Sequence, residues 1–265
     1  MNRLKQDAFK SKQDKFVPYM MSCDPSYEAS IDVALTLQDA GVDAIEWGVP
    51  FSDPLADGPV IQEAGDRARK AGGSIRKALE GMKQARKQGL TVPVILFTYV
   101  NPVLSVGYKE IVEEMKLADI DGILIPDLPF EESEELRELC HEANISLISL
   151  VAPSSSTRME KISRFGDGFL YYVTSLGVTG TRQSFSEQVS ESIKELKKTA
   201  TVPVLAGFGI STRDQVRHFQ TIADGVIVGS ALVRFIAERE ASLTDEKNKN
   251  VALQEIKEFV QELIS

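Results

Sequence analysis

The segment GVDAIEWG (41–48) turns the chain on a glycine and an aspartate and then enters a short apolar run. The same logic returns in DIDGILIPD (119–127) and ADGVIVGS (223–230), and VPVILF (92–97) is echoed by VPVLAG (202–207). Working outward from these segments, eight strand candidates emerge: Phe16–Met21, Ala44–Gly48, Val94–Thr98, Gly122–Ile125, Ser146–Val151, Phe169–Thr174, Val204–Gly207 and Gly225–Val228. Helical patterns separate them, among them Ser26–Ala40, Tyr108–Ala118, Glu131–Glu142, Phe185–Lys198 and Thr212–Gln220.

Strand–helix alternation argues for βαβ units and a parallel sheet. Eight such units in a chain of 265 residues favour a closed barrel, usually about 250 residues long, over an open doubly wound sheet. The expected fold class is therefore α/β, a (β/α)₈ TIM barrel forming one domain over residues 1–265. Residues 2–12 read as an extra N-terminal helix, a lid on the barrel floor. Residues 248–264 read as a C-terminal amphipathic helix with Val251, Ile256, Phe259, Val260 and Leu263 on its apolar side, after a polar linker Leu243–Asn250.

Composition narrows the function classes. A net charge of −9 without a basic block disfavours nucleic acid and anionic membranes as partners. No run approaches the ~20 apolar residues of a membrane span, and the N-terminus has no signal-like apolar stretch. Cys23 and Cys140 then read as free thiols of a cytoplasmic protein. The two histidines, His141 and His218, both fall in helical segments without metal-ligand spacing, so no metal site is expected. No strand candidate carries a lysine for Schiff-base chemistry. A carbon–carbon cleavage on this frame needs a substrate that is its own electron sink, such as an indole protonated at C3.

In a barrel of this kind, chemistry sits at the C-terminal ends of the strands. Side-chain alternation turns Glu46 inward if Ile45 and Trp47 pack on helices. There it is either a general acid/base whose pKa is raised by burial, or a structural acid paired with a hidden cation. Asp57 follows in a loop stiffened by Pro50, Pro54 and Pro59, and is either aimed at a ligand or a cap for the next helix. Late in the chain, GVTGTR (177–182), GFGIS (207–211) and GSALV (229–233) follow strands six, seven and eight. Such segments are either a phosphate cradle built of helix N-termini or plain turn glycines. The candidate donors are the amides of Gly209, Gly229 and Ser230, with the Ser230 hydroxyl.

The motif EWGVPFSDPLADGP (46–59), followed by Ile61-Gln62, resembles the signature of tryptophan synthase α subunits. FTYVNP (97–102), IPDLP (125–129), GVTG (177–180), GFGIS (207–211) and GVIVGSALV (225–233) fall in that family's order, and the resemblance runs from about residue 10 to the C-terminus. It implies retro-aldol cleavage of indole-3-glycerol phosphate to indole and glyceraldehyde 3-phosphate. Glu46 is then the acid/base, and Asp57 engages the indole N–H. Tyr171 helps hold Glu46, and Gly180, Gly209, Gly229 and Ser230 bind phosphate. Thr179 belongs to a loop that closes over substrate; Tyr99, Phe208 and Leu124 are either walls for the indole ring or ordinary barrel packing. The resemblance also implies a β subunit in an α₂β₂ complex, with Asp53 and Pro54 near the interface. No cofactor is expected on this chain, since pyridoxal phosphate belongs to the β subunit. A stand-alone indole-releasing lyase and a non-catalytic assembly partner are the alternatives. The chain departs from the family at Cys23-Asp24-Pro25, where glycine usually stands first.

Overall fold

The computed structural model describes the chain apart from residues 1, 154–155, 175–181 and 208, and gives backbone only at 156 and 182–187. Eight strands are present: β1 (Lys15–Met21), β2 (Ile45–Gly48), β3 (Val94–Phe97), β4 (Gly122–Leu124), β5 (Ser146–Val151), β6 (Leu170–Val173), β7 (Val204–Gly207) and β8 (Gly225–Val228). Each lies within one residue, at either end, of the run that announced it. They pair in parallel in chain order, and β8 closes on β1 with Phe16 opposite Val226 and Val17 opposite Ile227.

Helices return the chain between strands, and their ends follow local chemistry. Ser26 opens the helix Tyr27–Ala40 by accepting from the Ala29 amide at 3.1 Å. Gly41 ends that helix at φ +93°, a left-handed conformation that a side chain resists. Thr212 and Gln215 form a reciprocal capping box on the helix Arg213–Gln220.

Strand alternation splits the core into two layers. Ile45, Trp47, Val94 and Leu96 face the helices, and the Trp47 indole N–H donates to the Ala78 carbonyl at 3.0 Å. Val17, Tyr19, Ala44, Ile95, Phe97, Leu124, Tyr171 and Ile227 fill the barrel interior. This is the arrangement that turns Glu46 inward.

The N-terminal segment closes the floor as expected, in two short pieces, Arg3–Lys5 and Asp7–Lys10. Leu4 and Phe9 join the interior cluster. The Asn2 amide donates to the Asp121 and Asn144 carbonyls at 2.8 and 3.1 Å. Arg3 and Arg86 both pair with the buried Asp121 carboxylate, at 3.1 and 2.9 Å. The floor is thus held polar-to-polar, well away from the opposite rim.

The C-terminal helix runs Lys249–Ile264 and packs on Tyr27–Ala40, with Lys249 paired to Asp32 at 3.0 Å. Its buried stripe is Ala252, Ile256, Val260 and Leu263, and Phe259 stacks on Phe235 at 4.2 Å. Val251 does not belong to that stripe: it is 61% exposed, because the face repeats from Ala252 in steps of four and three. Nor is Leu243 part of a linker. It ends a short helix, Glu240–Leu243, with its side chain buried, which leaves 244–248 between the two helices.

Candidate active site

At the rim opposite the floor, a cavity of about 310 Å³ opens among Tyr19 of β1, Glu46 of β2, Phe97 of β3, Tyr171 of β6, Ile227 of β8 and the loop residues Ala56–Ile61. Gly209, Ile210, Gly229, Ser230 and Arg234 complete its wall. Glu46, Asp57 and three of the four residues proposed as phosphate donors therefore share one space. The fourth, Gly180, together with Thr179 and Phe208, lies outside the described residues.

Glu46 is 1% exposed and forms no ion pair among the described residues. Its Oε1 has no hydrogen-bond partner among them either. The reading as a carboxylate paired with a hidden cation therefore has no partner to support it here. Removal from water penalises the ionised form and pushes the carboxyl up to about 8. At neutral pH the side chain is mostly the protonated acid, poised to give a proton and take one back.

Asp57 sits in the loop after β2, partly buried, and burial raises its carboxyl to about 6 against the opposing effect of the neighbouring Tyr99 hydroxyl. The Tyr99 hydroxyl also accepts the Ala56 amide at 3.1 Å. The Asp57 amide donates to the Pro54 carbonyl at 3.1 Å, and Gln62 donates to the Asp57 carbonyl at 2.7 Å. Asp57 is not a helix cap. The N-cap of Pro59–Lys70 is Gly58, with no side-chain capping bond.

A bidentate pair fixes that helix from behind. Arg67 meets the buried Asp24 at 2.8 and 2.9 Å, tying it to the end of β1. Burial outweighs pairing at Asp24, whose carboxyl is raised; pairing outweighs burial at the more exposed Arg67. Just before Asp24, Cys23 adopts φ +62° and stays buried, its amide bonded to the Ser30 hydroxyl at 3.0 Å. The turn that glycine would make easily is thus made by cysteine.

Two tyrosines flank Glu46, and two glycines make room for them. Tyr19 lies opposite Glu46 in the β1–β2 register. A Cβ on Gly48 would lie 2.2 Å from the Tyr19 hydroxyl, and one on Gly207 would lie 2.4 Å from the Tyr171 ring. Tyr171 is fully buried and within electrostatic reach of both Glu46 and Asp57.

Along the cavity wall formed after β7 and β8, Gly209 takes φ +80°, and the helix Ser230–Ala237 begins after Gly229 with no side-chain cap. Its first N–H groups face the cavity with the positive end of the helix dipole. Leu124 and Tyr99 do not line this cavity. Leu124 is fully buried inside the barrel, and Tyr99 stacks on Phe51 at 5.4 Å behind the Asp57 loop. Sequence reasoning missed Tyr19, Phe97 and Ile227, although all lie on inward-facing positions of their strands, and missed Arg234, four residues past Ser230.

A second cavity, about 520 Å³, lies over the ends of β4, β5 and β6 and meets the first at Ala56. Its lining, including Pro126, Leu128, Ile148, Leu150 and Val173, holds no carboxylate. The carboxylates Glu46 and Asp57 thus line the smaller space. Nearby, Asp53 is exposed, Pro54 half-buried, Leu55 is 89% exposed and Leu104 56% exposed.

The profile of the family described as tryptophan synthase alpha chain matches residues 5–263. The tryptophan synthase alpha chain of Halalkalibacterium halodurans is 50% identical over 265 residues, covering all of both chains. That of Bacillus subtilis is 48% identical, over 92% of this chain and 91% of the relative. A chain from the crystal structure of the tryptophan synthase complex of Pyrococcus furiosus superposes with a TM-score of 0.82 at 33% identity, covering 95% of this chain and 98% of that one.

Proposed function

The chain belongs to the tryptophan synthase alpha chain family, and from that premise we propose that Glu46 and Asp57 carry the lyase reaction of its barrel, retro-aldol cleavage of indole-3-glycerol phosphate. The observation that supports this most is a buried Glu46, without an ion pair among the described residues, sharing a cavity with Asp57 and the uncapped helix at Ser230.

The Glu46 acid gives its proton to indole C3, and the ring becomes a cation. Asp57, largely ionised at neutral pH, engages the indole N–H and stabilises that charge. The Glu46 carboxylate then takes the proton of the glycerol hydroxyl on the carbon bonded to C3. That carbon becomes the aldehyde, the C–C bond breaks, and its electrons return to the ring. Indole and glyceraldehyde 3-phosphate leave, and Glu46 is protonated again. The protonated indole is the electron sink, so this route uses neither a metal ion nor a lysine imine. The amides of Gly209, Gly229 and Ser230, with Gly180, hold the phosphate, and Tyr171 keeps Glu46 in place.

A β subunit is the proposed partner, in an α₂β₂ assembly, and pyridoxal phosphate is assigned to that subunit. Asp53 and Pro54, beside the exposed Leu55, are read as its contacts on this chain. An apolar side chain left in water on the catalytic loop supports docking there. Cytoplasm is the proposed compartment, where the free cysteines Cys23 and Cys140 stay reduced. No helix among the described residues is long and apolar enough to cross a membrane.

The test is indole release from indole-3-glycerol phosphate by the purified chain, with and without a tryptophan synthase β subunit. Slow release that rises steeply with the β subunit is expected. Fast, partner-independent release would favour a stand-alone lyase, and no release in either case would overturn the substrate.

A further inference from the structure

We propose that Arg234 binds the substrate's phosphate, supplying a positive side chain to a cavity whose other charged lining residues, among those described, are carboxylates. The proposal rests on the reading above and adds a side chain to it. Arg234 lines the cavity with Glu46, Asp57 and Ser230, and it is the one lysine or arginine among the described residues that do so. Both other charged lining residues are carboxylates. A dianionic substrate entering a chain of net charge −9, toward the ionised Asp57, meets repulsion unless a cation offsets it.

Geometry sets where that cation acts. Arg234 stands four residues after Ser230 on the helix Ser230–Ala237, so the two share a helix face. Helical side chains lean toward the N-terminus. The guanidinium therefore reaches back toward the first N–H groups of its own helix, where an anion is already favoured. Across the same cavity lie Gly58–Ile61, the start of the helix Pro59–Lys70. Arg234 is exposed and makes no ion pair or hydrogen bond among the described residues. No local carboxylate has to be displaced when phosphate arrives. Arginine suits the task because its planar fork matches phosphate oxygens two at a time.

The experiment compares the full chain with Arg234→Ala and Arg234→Lys, in complex with a β subunit, and reads both turnover and phosphate binding. An exposed side chain can be removed without unfolding the barrel, and the melting temperature checks this. Arg234→Ala is expected to raise KM for indole-3-glycerol phosphate about tenfold while kcat falls by less than about threefold. The dissociation constant for inorganic phosphate, read by calorimetry, rises in parallel, and Arg234→Lys falls between. A KM and a phosphate dissociation constant both within twofold of the parent would overturn the proposal. So would a fall in kcat at unchanged KM. If the parent releases no indole, the substrate reading fails, yet phosphate binding to parent and variant still decides the role of Arg234.

Discussion

The Tyr99 hydroxyl accepts the amide of Ala56 at 3.1 Å and, beside the next residue, favours the ionised form of the Asp57 carboxylate. One phenol at the end of β3 therefore sets both the position and the proton affinity of an acid 42 residues earlier in the chain.

The phenol favours the ionised form of Asp57, and burial, the larger effect, opposes it, leaving the carboxyl at about 6. Catalysis needs Asp57 ionised and Glu46 protonated, so activity should rise through about pH 6 and fall through about pH 8. Tyr99→Phe removes the hydroxyl but not the burial. The acidic limb of the kcat/KM profile then moves to higher pH, and turnover at pH 6.5 falls about tenfold. An acidic limb that stays where it is would show that Tyr99 does not tune Asp57.

Glu46 also bears on stability. Its folded-state pKa is about 8, above the ordinary carboxyl value of 4.5. The folded protein therefore holds this proton more tightly than the unfolded chain. Its stabilising effect is complete below about pH 4.5 and lost as pH rises through about 8. Glu46→Gln cannot lose it. Urea unfolding of the two proteins should diverge between these limits in favour of the variant, by on the order of 4 kcal/mol, and run parallel above pH 8. Asp57 is common to both proteins and cancels. A difference independent of pH would mean that Glu46 is not desolvated.

Gly48 and Gly207 give a steric prediction. A methyl at either position overlaps a tyrosine ring that the closed barrel holds in place. Gly48→Ala and Gly207→Ala should each cost about 1–3 kcal/mol in thermal unfolding and lower kcat by displacing Tyr19 or Tyr171. Gly58→Ala, with φ −74° and open space around its Cβ, should cost no more than about 0.5 kcal/mol.

Much of this was legible in the sequence because its signals are local. A buried parallel strand between tight turns is a short apolar run, and all eight were bounded by residues such as Gly41, Asp121 and Gly225. Alternation along β2 was enough to turn Glu46 inward once Ile45 and Trp47 faced the helices. What could not be read depends on closure. Nothing in Tyr99 or its neighbours tells that its hydroxyl ends at the Ala56 amide, beside Asp57, because that contact exists only once β2 and β3 pair and the loop folds over them. Arg234 reads as a charge in an amphipathic helix until the barrel brings its helix beside the Asp57 loop. Val251 shows the limit of periodicity itself: at a helix's first turn, an apolar residue can miss the buried face by one step.

The most direct measurement is indole release by Glu46→Gln, assayed with a β subunit, beside inorganic phosphate binding to the same variant. The amide that replaces the carboxyl keeps the size of the side chain but can neither give nor take the proton. A loss of at least about a thousandfold in kcat is expected, with phosphate bound as tightly as by the parent. Turnover within tenfold of the parent, with phosphate binding intact, would remove Glu46 from the chemistry and contradict the account at its centre.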